Sequence, residues 1–419
     1  MRAVFGRTSP RQAACWTATI AFLVVLAVDE LVEIRSASLL ASDFKVTLWE
    51  PARAVVHGTD PYANPGSVYP PSAFVPLVLL GVLPFGAAAT VWTLLSLGAA
   101  AATLAVLRIR DWRCYALWLL NAAVLSTAVT GNATVVVGLL LALTLRYRDS
   151  LAGPAALAAG IATKLFVAPL ILWFAITGRA RGALLTAAAA ALLIFTGWAV
   201  LGFRGVSHYP EQLRANNERF SGDTPLLQGL VHQVGGSHAL AAVVGICTAA
   251  VLIGLAWHVR QDDVAAFTLI LAAAIAASPI AWVGYATLLV VPLAARTARF
   301  TPPWLLLLGF GYLHWWNGPL FFKSAALSVA TIALTAGLVY FACVAAETNE
   351  PDGKRQARWW FADEIRPVQD TASLDRATSS SSPSRRPETS VPMKQATGRP
   401  TGPRTDHSPR GNAQGTLPT

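Results

Sequence analysis

The chain has 419 residues, of which 54% are hydrophobic and 13% are charged, and its formal net charge is +10. Soluble globular proteins carry about 25% charged residues, so this composition excludes an ordinary soluble fold and indicates a membrane protein. The arginines include short clusters between apolar stretches, such as those at 108–113 and 179–181. Such clusters are typical of cytoplasmic loops in membrane proteins, and we therefore expect a lipid bilayer and no nucleic acid as partner.

Apolar stretches recur from residue 14 to residue 346 and predict an all-α, polytopic transmembrane domain over 14–346. When every arginine cluster is placed in the cytoplasm, the crossings alternate, which predicts about 12 spans, within a range of about 10 to 13. The predicted spans are 14–35, 86–107, 114–129, 132–147, 151–163, 165–178, 182–202, 239–259, 264–278, 280–295, 303–317 and 323–346.

We expect the domain to lie in the plasma membrane. The predicted topology places both chain termini in the cytoplasm. Residues 1–13 form the cytoplasmic N-terminus, and residues 347–419, rich in Ser, Thr, Pro, Arg and Gly, form a disordered cytoplasmic tail. Residues 71–84 are bounded by prolines and are too short to cross, so we interpret them as a re-entrant or interfacial segment.

Two predicted outer loops, 36–70 and 203–238, are much longer than the other outer connections. Long loops on a rigid scaffold are where function concentrates. We therefore expect the active site on the outer face of the membrane, formed by these loops.

The first outer loop contains apolar residues at helical spacing, Phe44, Leu48 and Ala52, which predict a short helix along the membrane surface that ends at Gly58. Asp43 lies at the N-terminal edge of this helix. One interpretation is a helix cap, because a carboxylate there accepts backbone N–H bonds. The other is a general base that takes a proton from an incoming sugar hydroxyl.

Lys164 lies between two short apolar stretches without an acidic neighbour in sequence. A lysine near the middle of a membrane costs ~3 kcal/mol on insertion scales, so some interaction must offset its charge. The lysine either extends to the outer headgroups or holds the phosphate of a lipid-linked donor and stabilises it as it leaves.

The second outer loop offers His208 and Arg219, and Arg219 is a candidate for binding phosphate or sugar hydroxyls. Trp282 lies near a predicted outer end, where it belongs to an aromatic belt or stacks on a sugar. No Asp-x-Asp pair occurs, so we expect no divalent-metal site of the kind that nucleotide-sugar enzymes use, no cofactor and metal-independent chemistry.

The motifs of the first outer loop resemble those of glycosyltransferase family 87, whose members are polytopic enzymes of the GT-C class. The family is typified by α-mannosyltransferases that use polyprenyl-phosphate mannose. The similarity covers most of residues 15–300 and is carried by Asp43-Phe44, by the segments 57–62 and 69–71, by Gly131-Asn132, by 162–166 with Pro169, and by 278–282.

The resemblance implies a GT-C-like fold and transfer of a sugar, mannose above all, from a polyprenyl phosphate to a glycolipid or glycan acceptor. The essential aspartate of the family corresponds to Asp43, which implies the role of general base, and Lys164 and Arg219 are the candidates for binding the donor phosphate. The candidate substrate-binding residues are Tyr62, Tyr69, Asn132, His208, Trp282 and Tyr285.

The chain departs from the family pattern at two places. It has Gly131-Asn132-Ala133-Thr134 where the family usually has Gly-Gln-x-Asn. At residues 283–285 it has Val-Gly-Tyr, where the family usually has one or two histidines. His208 or His314 are candidates to replace them. Two alternatives stay open: a transporter or flippase of lipid-linked sugars, against which the concentration of polar residues outside the membrane weighs, and a catalytically inactive homologue.

Overall fold

The computed structural model describes residues 10–63, 66–220, 224–317 and 325–344. These residues form helices and connecting turns without a β-strand, which confirms the predicted all-α class. The predicted cytoplasmic tail 347–419 lies outside the described residues.

The first ten α-helices run from the N-terminus to the middle of the chain. They are α1 (Pro10–Ser36), α2 (Ser42–Phe44), α3 (Glu50–Val56), α4 (Pro71–Phe74), α5 (Val78–Gly81), α6 (Phe85–Val106), α7 (Trp112–Leu119), α8 (Ala122–Val129), α9 (Thr134–Arg146) and α10 (Ala152–Thr163). A π-helical turn, Lys45–Trp49, joins α2 to α3.

The remaining α-helices follow in the same manner. They are α11 (Leu170–Ile176), α12 (Ala180–Val200), α13 (Tyr209–Phe220), α14 (Leu227–Gln233), α15 (His238–His258), α16 (Asp263–Ala277), α17 (Val283–Ala286), α18 (Val290–Arg296), α19 (Leu306–Asn317) and α20 (Ala325–Val344). Short 3-10 turns occur at Val75–Leu77, Leu165–Val167, Thr287–Leu289 and Pro302–Leu305.

Within the described residues, five helices are long and apolar enough to cross a membrane. They are α1, α6, α12, α15 and α20. A sixth candidate is the pair α8 and α9, which is bent by 111° at its break. These helices make the chain a polytopic membrane protein. The other predicted spans correspond to helices too short to cross alone, so the count of about 12 crossings stays a prediction.

The short apolar helix α16 is buried among its neighbours. Every residue of α16 from Ala265 to Ile275 is buried, and α16 packs against α11, α15, α18 and α20. A helix that is apolar on all sides is stable only when neighbours cover all of it. α16 therefore lies in the interior of the domain, where the groups at its ends find partners in the protein.

A second apolar cluster holds the first outer loop against the helical core. Phe44 and Leu48 of this loop are buried together with Trp92 of α6 and Trp198 of α12. The rings of Phe44 and Trp92 stack at 5.3 Å between centroids. The run from α2 to α3 confirms the predicted short helix, and Gly58 follows it with a φ of 69°. That this helix lies along the membrane surface stays a prediction.

Candidate active site

The break between α8 and α9 exposes backbone carbonyls that the first outer loop satisfies. The amide of Ala41 donates to the carbonyl of Val129 at 2.9 Å, and the amide of Phe44 donates to that of Thr130 at 3.2 Å. Helix ends leave such groups without partners inside the helix, and in an apolar interior each unpaired group is unfavourable. These hydrogen bonds hold the loop and the break between α8 and α9 together. Asp43 lies in the chain between Ala41 and Phe44, whose amides make the bonds.

Gly131 is required at this junction for two reasons. Its φ is 84°, in the left-handed region that favours glycine, and a Cβ atom there would lie 2.5 Å from the Cβ of Phe44. Its carbonyl accepts a hydrogen bond of 2.8 Å from the indole of Trp92. The glycine of the Gly131-Asn132 motif thus allows the outer loop to approach closely enough for Asp43 to reach its neighbour.

Asn132 connects the candidate base to the candidate cation. Its Nδ2 donates to Oδ2 of Asp43 at 2.9 Å, and its Oδ1 accepts from Nζ of Lys164 at 2.8 Å. Oδ1 also accepts from the amide and the hydroxyl of Thr134. A side-chain amide that donates at one end and accepts at the other holds a carboxylate and an ammonium in fixed positions.

Lys164 lies at the break after α10, where its backbone is extended with a φ of −142°. Its side chain is only 5% exposed, so the alternative in which it extends to the headgroups is not realised. Besides Asn132, its Nζ donates to the hydroxyl of Thr134 at 2.8 Å and to that of Tyr285 at 3.3 Å. It also lies over the rings of Tyr69 and Tyr285, at 5.2 and 4.7 Å from their centroids.

Burial acts in opposite directions on the two charged groups. It raises the pKa of the Asp43 carboxyl, against the hydrogen bond from Asn132 and the charge of Lys164, which both lower it. It lowers the pKa of Lys164 to about 7, against the charge of Asp43, which raises it. Desolvation disfavours the charged form of each group, so burial shifts the two pKa values toward each other.

The capping interpretation of Asp43 is not realised. The residue before the first turn of α2 is Ala41, and no side chain caps that turn. The side chain of Asp43 instead accepts from Asn132, in a different part of the chain. Its position at the helix edge orients the carboxylate toward the break between α8 and α9.

A cavity of about 810 Å³ contains these groups. Its walls come from α2, from the π-helical turn, from the three breaks at 130–132, 163–166 and 278–285, and from α13 of the second outer loop. Ligand pockets in proteins have volumes of about 300–1,000 Å³. Both loops that the sequence predicts to lie outside thus contribute to one cavity, together with the ends of broken helices.

The cavity collects most of the predicted site residues. Tyr69, Asn132, Arg219, Trp282 and Tyr285 line it together with Asp43 and Lys164. Tyr285 stands where the family pattern expects a histidine, and its ring stacks on that of Phe166 at 4.3 Å. The phenol of Tyr285 thus supplies a polar contact to Lys164 at this position.

Two predicted substrate-binding residues lie outside the set that lines the cavity. Tyr62 is buried, its hydroxyl donates to the carbonyl of Tyr69 at 2.9 Å, and its ring stacks on Trp198 at 5.3 Å. Its contacts hold the loop together and place Tyr69. His208 is exposed and precedes α13, where the next residue, Tyr209, lines the cavity in its place.

Sequence reasoning missed two contributors to the site. Thr134 binds both Asn132 and Lys164, and its position two residues after the Gly131-Asn132 motif was the available signal. The buried carboxylate of Glu30 in α1 pairs with His314 of α19, whose Nε2 lies 3.2 Å from Oε1. His314 lines the cavity, so of the two histidines considered as replacements only His314 is brought to it.

The described residues contain no group of three or more His, Cys, Asp or Glu side chains arranged to hold a metal ion. The ionisable groups that the structure gathers at the cavity are Asp43, Lys164, Arg219 and His314, with several tyrosines.

Comparisons with known proteins give one match. The family model of glycosyltransferase family 87 matches residues 68–292, more than half of the chain. The matched region includes Tyr69, Asn132, Lys164 and Tyr285. No curated protein and no solved structure matches the chain.

Proposed function

The chain belongs to glycosyltransferase family 87 and is a membrane glycosyltransferase, and from this premise we propose that it transfers mannose from a polyprenyl phosphate to a glycolipid or glycan outside the plasma membrane. The main support is the chain of contacts from Asp43 through Asn132 to Lys164 on the wall of one cavity. It provides a carboxylate for a hydroxyl proton and a cation for a phosphate at the same site.

The proposed reaction is a direct displacement at the anomeric carbon of the donor. The acceptor hydroxyl oxygen attacks C1, the bond from C1 to the phosphate oxygen breaks, and polyprenyl phosphate leaves with the electron pair. Asp43 takes the hydroxyl proton, so no positive charge builds up on the attacking oxygen. Attack opposite the leaving group inverts the anomeric centre.

Lys164 stabilises the phosphate as its negative charge grows. Its present partners are the neutral oxygens of Asn132, Thr134 and Tyr285, so an anion adds an attraction that these partners do not supply. Arg219, which lines the same cavity from α13, is the second proposed phosphate contact. Because a lipid monophosphate carries less charge than a nucleoside diphosphate, we propose that these cations are sufficient without a metal ion.

The predicted topology supports an outward-facing site, because both loops that line the cavity are predicted outer loops. Cysteine labelling tests this orientation: an impermeant maleimide applied to intact cells modifies Glu218→Cys on α13 if the proposal is correct. Labelling that requires permeabilised cells contradicts it.

The donor class is tested by transfer with purified protein in detergent. Radiolabelled polyprenyl-phosphate mannose, arabinose and glucose are offered in parallel with GDP-mannose, using extracted envelope glycolipids as acceptors, with and without EDTA. We expect transfer from polyprenyl-phosphate mannose and none from GDP-mannose, and we expect EDTA to leave the rate unchanged. Transfer from GDP-mannose in the absence of polyprenyl phosphate contradicts the donor, and a loss with EDTA contradicts metal independence.

The absence of transfer from every donor supports the inactive homologue instead. That outcome is informative only for folded protein, so wild type and Asp43→Asn must elute as single species and unfold at similar temperatures. The anomeric configuration of a labelled product, read by NMR, tests inversion separately.

A further inference from the structure

One face of α13 presents two amide side chains and two apolar side chains to the cavity. Leu213, Asn216, Asn217 and Phe220 all line it, and their spacing of three or four residues places them on one face of the helix. The N-terminal half of α13 is fixed to the first outer loop, because the hydroxyl of Tyr209 donates to the carbonyl of Val68 at 3.2 Å. The helix thus presents this face in a defined orientation.

Asn217 carries a polar atom that lacks a partner. Its Oδ1 is buried and accepts no hydrogen bond from any described residue. Buried polar atoms in native proteins are paired in the great majority of cases, so an unpaired carbonyl on a cavity wall indicates a ligand group that donates to it. A hydroxyl or an amide of a substrate fits this requirement, whereas a phosphate oxygen does not.

An aromatic pair lies beside this amide. The rings of Phe220 and Trp282 meet edge to face at 5.9 Å between centroids, and both residues line the cavity. A pyranose has an apolar face of C–H bonds and a rim of hydroxyls, so it packs its face on an aromatic ring and donates from its rim to an amide oxygen.

We propose that Asn217, with Phe220 and Trp282, forms a pyranose subsite in which Oδ1 of Asn217 accepts a hydrogen bond from one sugar hydroxyl. The proposal rests on the proposed function, since it names the part of the cavity that recognises the sugar. It differs from the Asp43–Lys164 region in chemistry, because the group that binds the sugar rim is a neutral amide, which distinguishes sugars by the position of their hydroxyls. The guanidinium of Arg219 lies over the ring of Phe220, 5.0 Å from its centroid, and is the nearby charge.

The subsite is tested by a double-change cycle, in which the substitution of Asn217 is combined with the removal of single hydroxyls from the sugar. The variants Asn217→Ala and Asn217→Asp are compared with wild type, using polyprenyl-phosphate mannose and its counterparts that lack a single hydroxyl, and a matching deoxy series of acceptors. Glu218→Ala is the control, because Glu218 is exposed and lies outside the set that lines the cavity.

Wild type and Glu218→Ala are expected to lose about tenfold in kcat/KM when the contacted hydroxyl is absent. Asn217→Ala is expected to lose the same factor with the complete sugar and nothing further with the deoxy sugar, while Asn217→Asp, which keeps an acceptor oxygen, retains the hydroxyl preference. An effect in the donor series assigns the subsite to the donor sugar, and one in the acceptor series assigns it to the acceptor.

The proposal is overturned if Asn217→Ala retains the full penalty for every deoxy sugar in both series. That outcome is distinct from failure of the proposed function, in which wild type transfers sugar from no donor. In the latter case, the affinity of Asp43→Asn for polyprenyl-phosphate mannose is compared with and without Asn217→Ala. The affinities for the acceptor and its deoxy series are measured on the same proteins. The subsite is rejected if removal of a hydroxyl changes neither the donor affinity nor the acceptor affinity in Asp43→Asn, with or without Asn217→Ala.

Discussion

Lys164 and Arg179 are both largely buried cations of this protein, yet their surroundings differ in kind. Arg179 makes ion pairs with Asp149 at 2.6 Å and with Asp263 at 2.7 Å. The Nζ of Lys164 contacts neutral oxygens, and within the described residues no carboxylate lies at ion-pair distance from it.

The difference indicates which cation is structural and which is available for a ligand. The network around Asp263, to which Arg148 also binds at 2.8 Å, is complete in itself and joins the loops next to α9, α12 and α16. The Lys164 region lacks the anion that would balance it locally, since the Asp43 carboxylate is reached only through Asn132. A buried charge without a direct counter-ion is costly, and a bound phosphate removes this cost.

The largest expected effect follows from replacement of the proposed base. Asp43→Asn keeps an oxygen that accepts from Asn132 but loses the ability to take a proton, so we expect kcat to fall by about 10²–10⁴ without a change in melting temperature. The measurement is steady-state transfer with polyprenyl-phosphate mannose. A variant with wild-type kcat would exclude Asp43 as the base and leave the family assignment intact.

Replacement of the site cation is expected to have the next largest effect. Lys164→Met removes the charge that attracts the donor phosphate, so KM for the donor should rise by about tenfold to a hundredfold. Lys45→Met is the matched control, since Lys45 is half-exposed and lies outside the set that lines the cavity. If both variants raise KM equally, the effect is a general electrostatic one.

Arg179→Met is expected to give the opposite pattern. The loss of its ion pairs leaves Asp149 and Asp263 with fewer partners, so the protein should be destabilised by about 1–3 kcal/mol, visible as a melting temperature lower by several degrees in detergent. The donor KM and kcat at low temperature should stay unchanged. A large rise in donor KM would mean that this network also takes part in catalysis.

The pH dependence of transfer should show the smallest and most specific effect. A general base must be ionised, so the rate should fall as pH decreases through the pKa of Asp43, which burial raises. The donor KM should rise as pH increases through the pKa of Lys164, which burial lowers to about 7. In Lys164→Met the acidic limb should move to higher pH, because the charge that lowers the pKa of Asp43 is gone; an unmoved limb would show that the two groups are not coupled.

The individual site residues could be found in the sequence because each has a local signal. Asp43 begins a helix that the apolar spacing of its successors predicts, and Lys164 interrupts two apolar stretches. Asn132 was identified through the family motif, but its position between the two charges was not. That bridge joins residues 89 and 32 positions apart in sequence, and spacing along one helix carries no information about such pairs.

Composition and apolar periodicity are sufficient to establish an all-helical membrane protein with two long loops, because they record which segments must avoid water. Tertiary packing determines which helix breaks meet, and thereby that Tyr285 contacts Lys164 while Tyr62 packs inside the loop. It also determines that the side-chain amide oxygens of Gln212 and Asn217 in α13 are buried without a partner among the described residues. These properties depend on backbone groups released at broken helices, which must find partners in distant segments when no water is present.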